Sequence, residues 1–354
     1  MRVTPVWTCC AEKSGLKTGF HHFGITLYLL AMPNVLILTE VQEAMRARYK
    51  AMLLERFPQL TINVVGHHND VGPYIADIDI LLCFSPPMAD HVVRDAPKLK
   101  WIQALGTGVD NIVDLPSLGK DVLVTNVRGI HGAPVSEATI AYMLSLARDL
   151  PRAGQAQVKS QWERWPAALL AGKTVGILGV GLIAEYLAPI CKALQMSVVG
   201  ISGSPRDPKG FDRVVHRGDL EKIAPELDFL VALTPLTAET RGIVGAKVFA
   251  AMKPTAYLVN VARGGVVDEP ALIAALEGGK IAGAALDVFA QEPLPANSPL
   301  WKTKNVTVFS HLGGYSQGYE DRAMPTIAGN MAKFLAGDLT SMTNIVRKPA
   351  FWRN

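Results

Sequence analysis

The decapeptide VGILGVGLIA at 175–184 carries the pattern G-x-G-x-x-A, and that spacing suits a pyrophosphate. Gly179 lets the chain turn tightly out of an apolar run. Gly181 has no side chain, so backbone can approach an anion at a helix start, where the helix dipole favours negative charge. Leu182 and Ile183 begin that helix, and Ala184 stands where only close helix–strand packing is needed. These residues predict a dinucleotide site; the alternative is a tight turn with no ligand. The next apolar run, SVVGIS, leads into GSPRDPKG. Ser202 stands where a carboxylate would accept hydrogen bonds from an NAD ribose, with Ser204 and Arg206 just beyond. A hydroxyl and a guanidinium suit a 2′-phosphate, which favours NADP over NAD. Asp207 reaching the ribose instead would reverse that preference.

Such residues need elements to hold them. From Asn34 onward short apolar runs alternate with helical pattern: NVLILT, INVVG, IDILLCF, KWIQAL and VLVTNV suit strands, and 41–57 an amphipathic helix. A long helix opening with proline is expected over 133–148, followed by an irregular arm at 149–166. A second alternating run starts at Lys173 with TVGILG, SVVGIS, LDFLVALT, AYLVNVA, AGAALDVF and NVTVFS. Strands that are apolar throughout, separated by helices, predict parallel sheets covered on both faces. After His311 one more helix, about 319–336, has no strand of comparable length behind it. The economical arrangement returns it to the first domain, with the second domain inserted, which accounts for a glycine fingerprint in mid-chain. The fold class expected is α/β, with two Rossmann-like or flavodoxin-like parallel-sheet domains.

A chain of 354 residues accommodates two such domains. Lys plus Arg number 35 against 31 Asp plus Glu, a net charge of +4, and no dense basic run appears. That argues against nucleic acid or an anionic membrane as a partner. Cys9, Cys10, Cys83 and Cys191 show no C-x-x-C spacing, which fits reduced thiols in a cytoplasmic protein. His21, His22, His67 and His68 come with no acidic ligand cluster, so no metal is assigned. FGITLYLLA at 23–31 mimics the apolar part of a signal peptide, but the stretch before it is long and carries Glu12 beside Lys13 and Lys17. MPNVLILTE then has the look of a natural start. Residues 1–31 are expected to be an extension outside the fold, with a targeting segment as the alternative.

Three further stretches are NVARGGVVDEPAL (260–272), ALDVFAQEPLP (285–295) and FSHLGG (309–314). With LTPLTAETRGIV (233–244), they resemble the D-isomer-specific 2-hydroxyacid dehydrogenase family in order, spacing and flanking residues. The resemblance runs over about 33–348. It implies a substrate domain split into 32–132 and 315–350 around an NAD(P)-binding domain at 133–314. It also implies a catalytic set of Arg263, Glu292 and His311. Reducing a 2-oxo acid requires hydride at the carbonyl carbon, a proton at its oxygen and a partner for the carboxylate. His311 can give or take the proton near neutral pH. Glu292 would hold the other ring nitrogen and fix the tautomer, and Arg263 offers a planar fork that lysine lacks. Taken singly they are equally a strand-end histidine, a solvated loop glutamate and a surface arginine.

Two more sites follow from the resemblance. In ALGTGVDNI (104–112), Gly106, Thr107 and Gly108 would turn backbone amides to the substrate carboxylate; an ordinary turn is the alternative. Asp287 would contact the nicotinamide carboxamide, Thr234 and Pro235 the adenosine half, and Val261 and Ala262 complete the cofactor wall. Gly313 and Gly314 would let nicotinamide approach the backbone near His311. Trp162 and Trp165 either reach a partner subunit's active site or simply pack. Arg128 and His131 in NVRGIHGAP depart from the family pattern; Arg128 either adds charge near the pocket or faces solvent. Formate dehydrogenases carry glutamine in place of Glu292, and many phosphoglycerate dehydrogenases carry a long regulatory extension, whereas this chain ends soon after its last helix. The expectation is a homodimeric glyoxylate or hydroxypyruvate reductase, or a broader 2-oxo acid reductase. The rivals are a phosphoglycerate dehydrogenase-like enzyme and a dinucleotide-sensing, corepressor-like protein.

Overall fold

The computed structural model describes residues 32–84 and 88–353. The extension expected at 1–31, with Cys9, Cys10, His21 and His22, lies outside the described residues.

Residues 34–125 build a first sheet from β1 (Asn34–Leu38), β2 (Thr61–Val65), β3 (Ile80–Cys83), β4 (Trp101–Ala104) and β5 (Leu123–Thr125). These five pair in parallel in the order β2-β1-β3-β4-β5. Every residue of β3 and β4 is buried, so neither face of the sheet can be left to water. The strand period of two sends Val35 and Ile37 to one core and Leu36 and Leu38 to the other. The first core is closed by α1 (Glu43–Arg56) through Tyr49 and Leu53. The second is closed by the short helices α2 (Gly72–Ile75) and α3 (Asp90–Arg94) through Ile75, Val92 and Val93.

The second sheet contains β6 (Thr174–Leu178), β7 (Ser197–Ser202), β8 (Arg213–His216), β9 (Phe229–Ala232), β10 (Tyr257–Asn260), β11 (Gly283–Leu286) and β12 (Val306–Val308). They run parallel in the order β8-β7-β6-β9-β10-β11-β12. Strand order reverses at β6, and the carboxyl ends of β6 and β9 therefore flank a crevice. One face is covered by α4 (Gly132–Arg148), with the arm helix α5 (Leu150–Val158) following it, and by α6 (Leu182–Ala193), with Tyr142, Met143, Leu187 and Cys191 in the core. The other is covered by α7 (Leu220–Ile223), α8 (Ala246–Ala251) and α9 (Glu269–Glu277). The chain then returns through α10 (Tyr319–Leu335), which lies beside α1 in the core of the first sheet.

Three features differ from the sequence expectation. The arm at 149–166 is helical in its first half: Asp149 at φ +51° ends α4, and Pro151 in the first turn of α5 costs no helical hydrogen bond. β8 goes unannounced because only Val214 and Val215, between Arg213 and His216, are apolar, too few to make a run. A three-residue strand, β13 (Ile345–Arg347), follows α10 and pairs antiparallel with β5, too short to show a period. The Arg347 guanidinium donates to the carbonyls of Gly119 and Val122 and ties that end of the chain to the first sheet. The whole second sheet thus lies between β5 and β13 in sequence, and the chain passes between the sheets twice, at 126–131 and 309–318.

Candidate active site

The crevice at the carboxyl end of β6 is shaped by missing side chains. Gly179 sits at φ +107°, and a Cβ there would lie 2.5 Å from the Thr234 amide nitrogen, so the turn tolerates only glycine. Gly181 precedes α6 in extended conformation, no side chain caps the helix, and a Cβ on it would meet nothing within 4 Å. The first N–H groups of α6, from Leu182 and Ile183 onward, therefore open onto free space, as a bound anion requires. Thr234 forms the back wall, and the Pro235 carbonyl accepts the Thr240 hydroxyl at 2.7 Å. At the end of β7, Ser202 is buried and its hydroxyl accepts the Ser204 amide at 3.3 Å, while Arg206 and Asp207 both lie exposed.

His311 and Glu292 are brought together. His311 Nδ1 is 2.7 Å from Glu292 Oε2, and the other carboxylate oxygen accepts the Phe289 amide at 2.9 Å. Burial alone would raise the Glu292 carboxyl. The hydrogen bond from His311 and its charge, the Phe289 amide and the charge of Arg263 together outweigh that and hold it below the usual range. His311 has φ +54°, an uncommon left-handed conformation for a residue with a side chain. Asp287 secures it: its carbonyl accepts the His311 amide at 2.8 Å, and its carboxylate accepts the amides of Leu312 (2.8 Å) and Gly313 (2.9 Å). The same carboxylate accepts the Tyr142 hydroxyl at 2.9 Å. In this arrangement Asp287 is a clamp for the histidine loop, with three of its acceptor sites already taken.

Arg263 reaches from the end of β10 to the loop after β4. Its Nε donates to Asp110 at 2.7 Å and its Nη1 to the Ala262 carbonyl at 2.7 Å. Nη2 lies against Gly108, where any Cβ would overlap the guanidinium. The turn at Val261 and Ala262 is pinned by buried Asn260, which accepts the Ala262 amide and donates to the Arg263 carbonyl. Opposite, Thr107 donates to the Val127 carbonyl at 2.9 Å, and Asn126 donates to the Thr107 carbonyl at 2.6 Å. Gly106 packs beneath Phe84 and Tyr319. Gly314 packs against His131, and a Cβ on Gly313 would run into the Asp287 carboxylate.

The structure adds residues that sequence reasoning did not place. Asp110 holds the arginine, Tyr142 the clamp, and Tyr319 the loop after β4 through its 2.9 Å bond to the Leu105 carbonyl. Arg217, just past β8, lays its guanidinium over Gly203, 3.1 Å from where a Cβ would sit, beside Ser202. These partners lie up to 214 residues apart in sequence, and only a bare Arg-Gly after an unrecognised strand could have hinted at Arg217. Trp165 donates to the Arg148 carbonyl at 3.2 Å, with Arg152 stacked 4.6 Å from its ring centroid, whereas Trp162 is 92% exposed. Arg128 is exposed. Among the described residues no group of three or more His, Cys, Asp or Glu is placed to hold a metal ion, and no helix is long and apolar enough to cross a membrane. Chemically, the arrangement offers an imidazole tied to a carboxylate, and a guanidinium whose charge acts on that carboxylate and whose Nη2 faces a glycine loop.

A family model described as the D-isomer specific 2-hydroxyacid dehydrogenase NAD binding domain matches residues 140–313. The chain is 36% identical over 279 residues to a D-3-phosphoglycerate dehydrogenase of Methanocaldococcus jannaschii, covering 78% of this chain and 53% of that one. It is 33% identical over 285 residues to a glyoxylate reductase of Thermococcus litoralis, covering 77% and 85%. A crystal structure of a D-isomer specific 2-hydroxyacid dehydrogenase family protein from Aeromonas salmonicida aligns with TM-score 0.79 at 34% identity, over 89% of this chain and 99% of that one. The chain spans about half the length of the curated phosphoglycerate dehydrogenases it matches.

Proposed function

Because the chain belongs to the D-isomer-specific 2-hydroxyacid dehydrogenase family, we propose that it is an NAD(P)-dependent oxidoreductase for a small 2-oxo acid of the glyoxylate or hydroxypyruvate type. The product would be the D-2-hydroxy acid, and the reaction is reversible. The observation that carries this reading is the 2.7 Å His311–Glu292 pair, close enough to Arg263 for that guanidinium to lower the glutamate's pKa. In this proposal residues 32–132 and 315–350 bind substrate, and 133–314 bind the dinucleotide.

The open space at Gly181 and the uncapped α6 terminus fit a pyrophosphate, with Gly179, Thr234 and Pro235 shaping the adenosine side. Val261, Ala262, Gly313 and Gly314 would border the nicotinamide. When bound, the reduced dinucleotide supplies hydride to the substrate carbonyl carbon. The protein's own part is positional and protic. Arg263 and the amides of Gly106, Thr107 and Gly108 hold the carboxylate, and Arg263 must turn part of its hydrogen bonding from Asp110 to do so. Glu292 keeps Nδ1 of His311 protonated, so Nε2 is the nitrogen that gives its proton to the nascent alkoxide in reduction and takes it back in oxidation. Closure of the crevice would exclude water and align the reacting atoms.

For the cofactor, Ser202, Ser204 and Arg206, joined by Arg217 over Gly203, favour a 2′-phosphate and hence NADP. The reading includes a homodimer. Val158 on α5 and the neighbouring Trp162 and Leu169 are exposed apolar side chains that a second copy would cover. It also includes a cytoplasmic setting, which suits the free, buried thiols of Cys83 and Cys191.

Initial rates at 340 nm test the proposal, with glyoxylate, hydroxypyruvate and 3-phosphohydroxypyruvate, each against NADPH and NADH. Turnover of the first two with a preference for NADPH is expected. Preference for the phosphorylated acid would replace the substrate assignment, and preference for NADH the cofactor assignment. Tight dinucleotide binding without turnover of any 2-oxo acid would favour a sensor.

A further inference from the structure

A second histidine borders the same crevice. His131 stands at the first crossing between the sheets, immediately before α4. Its ring joins two hydroxyls that each touch a carbonyl. Thr107 Oγ1 lies 2.9 Å from the Val127 carbonyl and 2.9 Å from Nδ1. Tyr319 Oη lies 3.0 Å from Nε2 and 2.9 Å from the Leu105 carbonyl. Four contacts in a row need four protons. The hydroxyls bring one each and the carbonyls none, so the ring must supply two. A neutral imidazole has one. Either Thr107 turns to Nδ1 and abandons Val127, or Tyr319 turns to Nε2 and abandons Leu105. Only the imidazolium closes all four contacts.

Charge opposes the imidazolium as the site stands. Burial comes first, then Arg263 from the turn after β10 and Arg322 from α10, and together they push the His131 pKa down to about 4. The other groups facing the ring, Thr107 and Tyr319, are uncharged, and burial pushes the Tyr319 phenol up. A carboxylate seated on Arg263 and the 106–108 loop would bring the missing negative charge to this side of the ring.

We propose that His131 is a positioning residue that takes up a proton as an anionic substrate docks, and that the completed chain of four bonds then fixes Thr107 and the carboxylate-holding loop. The proposal rests on the reading of the crevice as a 2-oxo acid site. It assigns the hydrogen-bond chain from Leu105 to Val127 a task that neither the dinucleotide nor the His311 proton relay requires.

Calorimetric titration of oxamate into the dinucleotide-saturated protein tests it. Oxamate is a planar isostere of a 2-oxo acid that accepts no hydride, and buffers of different ionisation enthalpy convert proton uptake into a difference in heat. His311→Asn serves as the background, so that the catalytic imidazole is not counted. In that background, uptake approaching one proton per oxamate is expected at pH 5–6. Binding coupled to uptake weakens as pH rises between the free and the bound pKa of the ring, so Kd should climb by up to about tenfold per pH unit there. Adding His131→Gln should abolish the uptake and flatten Kd against pH. If that variant does not fold, Tyr319→Phe keeps the ring but removes the acceptor at Nε2. A neutral Nδ1–H tautomer then satisfies Thr107 and Val127, and the uptake should fall in the same way. In the protein with His311 intact, His131→Gln should raise KM by a larger factor than it lowers kcat. Uptake that survives both substitutions, or is absent from the His311→Asn background, overturns the proposal. Oxamate that fails to bind every variant while the dinucleotide binds overturns the reading of the site itself.

Discussion

The two walls of the crevice are made by opposite means. On the dinucleotide wall the shape comes from side chains left out: Gly179 against the Thr234 backbone, and Gly181 before an uncapped helix. On the facing wall, where we propose that substrate binds, it comes from side chains that reach between elements: His311 to Glu292, Arg263 to Asp110, His131 to Thr107 and Tyr319. A wall of backbone can be damaged only by adding atoms, and the damage falls on folding or binding. A wall of paired side chains can be dismantled one group at a time, and the damage falls on chemistry.

The largest break in that comparison is His311→Ala. Turnover should drop by about 10²–10⁴-fold, the usual worth of a general acid–base, with dinucleotide Kd by fluorescence titration within a few-fold of wild type. Near-normal turnover would remove His311 from the chemistry. Next in size is Arg263→Lys, which keeps the charge and loses the fork. A loss of about 2 kcal/mol in transition-state binding, roughly thirtyfold in kcat/KM, is expected, mostly as a higher KM. Unchanged kinetics would mean that the carboxylate is held elsewhere.

The dinucleotide wall is tested by a pair. Gly179→Ala forces a side chain to φ +107° and into Thr234, so it should lower thermal stability, by about 1–3 kcal/mol or more. Gly181→Ala meets no protein atom; its Tm should stay within a degree or two while dinucleotide affinity falls about tenfold. If both substitutions behaved alike, the distinction between a folding glycine and a binding glycine would collapse.

The smallest effect is on stability against pH. The Glu292 carboxyl is held below its ordinary value in the fold, so the stability it contributes is complete above the unfolded value near pH 4.3 and is lost as pH falls through the lower folded value. Urea unfolding between pH 5 and pH 3 should therefore show a shallower decline for Glu292→Gln than for wild type. Parallel curves would show that the pair lends catalysis its geometry and the fold nothing.

The same contrast governs how much could be read from sequence. The glycine wall is local: a strand, two glycines and a helix within ten residues, so its position and cause were both legible in VGILGVGLIA. Nine of the eleven strands of the alternating runs are buried to the last or nearly the last residue, and their apolar content gives them away; β2 and β12, partly buried at the sheet edges, still show as apolar runs in sequence. β8 and β13 escape because each offers only two consecutive apolar residues, Val214 and Val215 in one and Ile345 and Val346 in the other, with charged residues beside them. The His311–Glu292–Arg263 set was named only through family resemblance, since each residue alone looks ordinary. Asp110 and Tyr319 were missed for a plainer reason: hydrogen bonds to residues 153 and 188 positions away leave no trace in spacing. His131 stood out as unusual, and its neighbours had to be seen before it acquired a meaning.

The double passage of the chain between the two sheets carries a mechanical consequence. Two bodies joined by a single tether can swivel in any direction. Joined at two separate points they keep one easy rotation, about the line through both. The first of those points ends at His131 and the second contains His311, with Gly314 of the second packed against the ring of the first. A rotation of one sheet against the other would turn about that line, which passes beside His131 and His311. Opening would swing the lips of the crevice widely and shift the two imidazoles little, so substrate could come and go through a mouth that moves around a nearly stationary fulcrum.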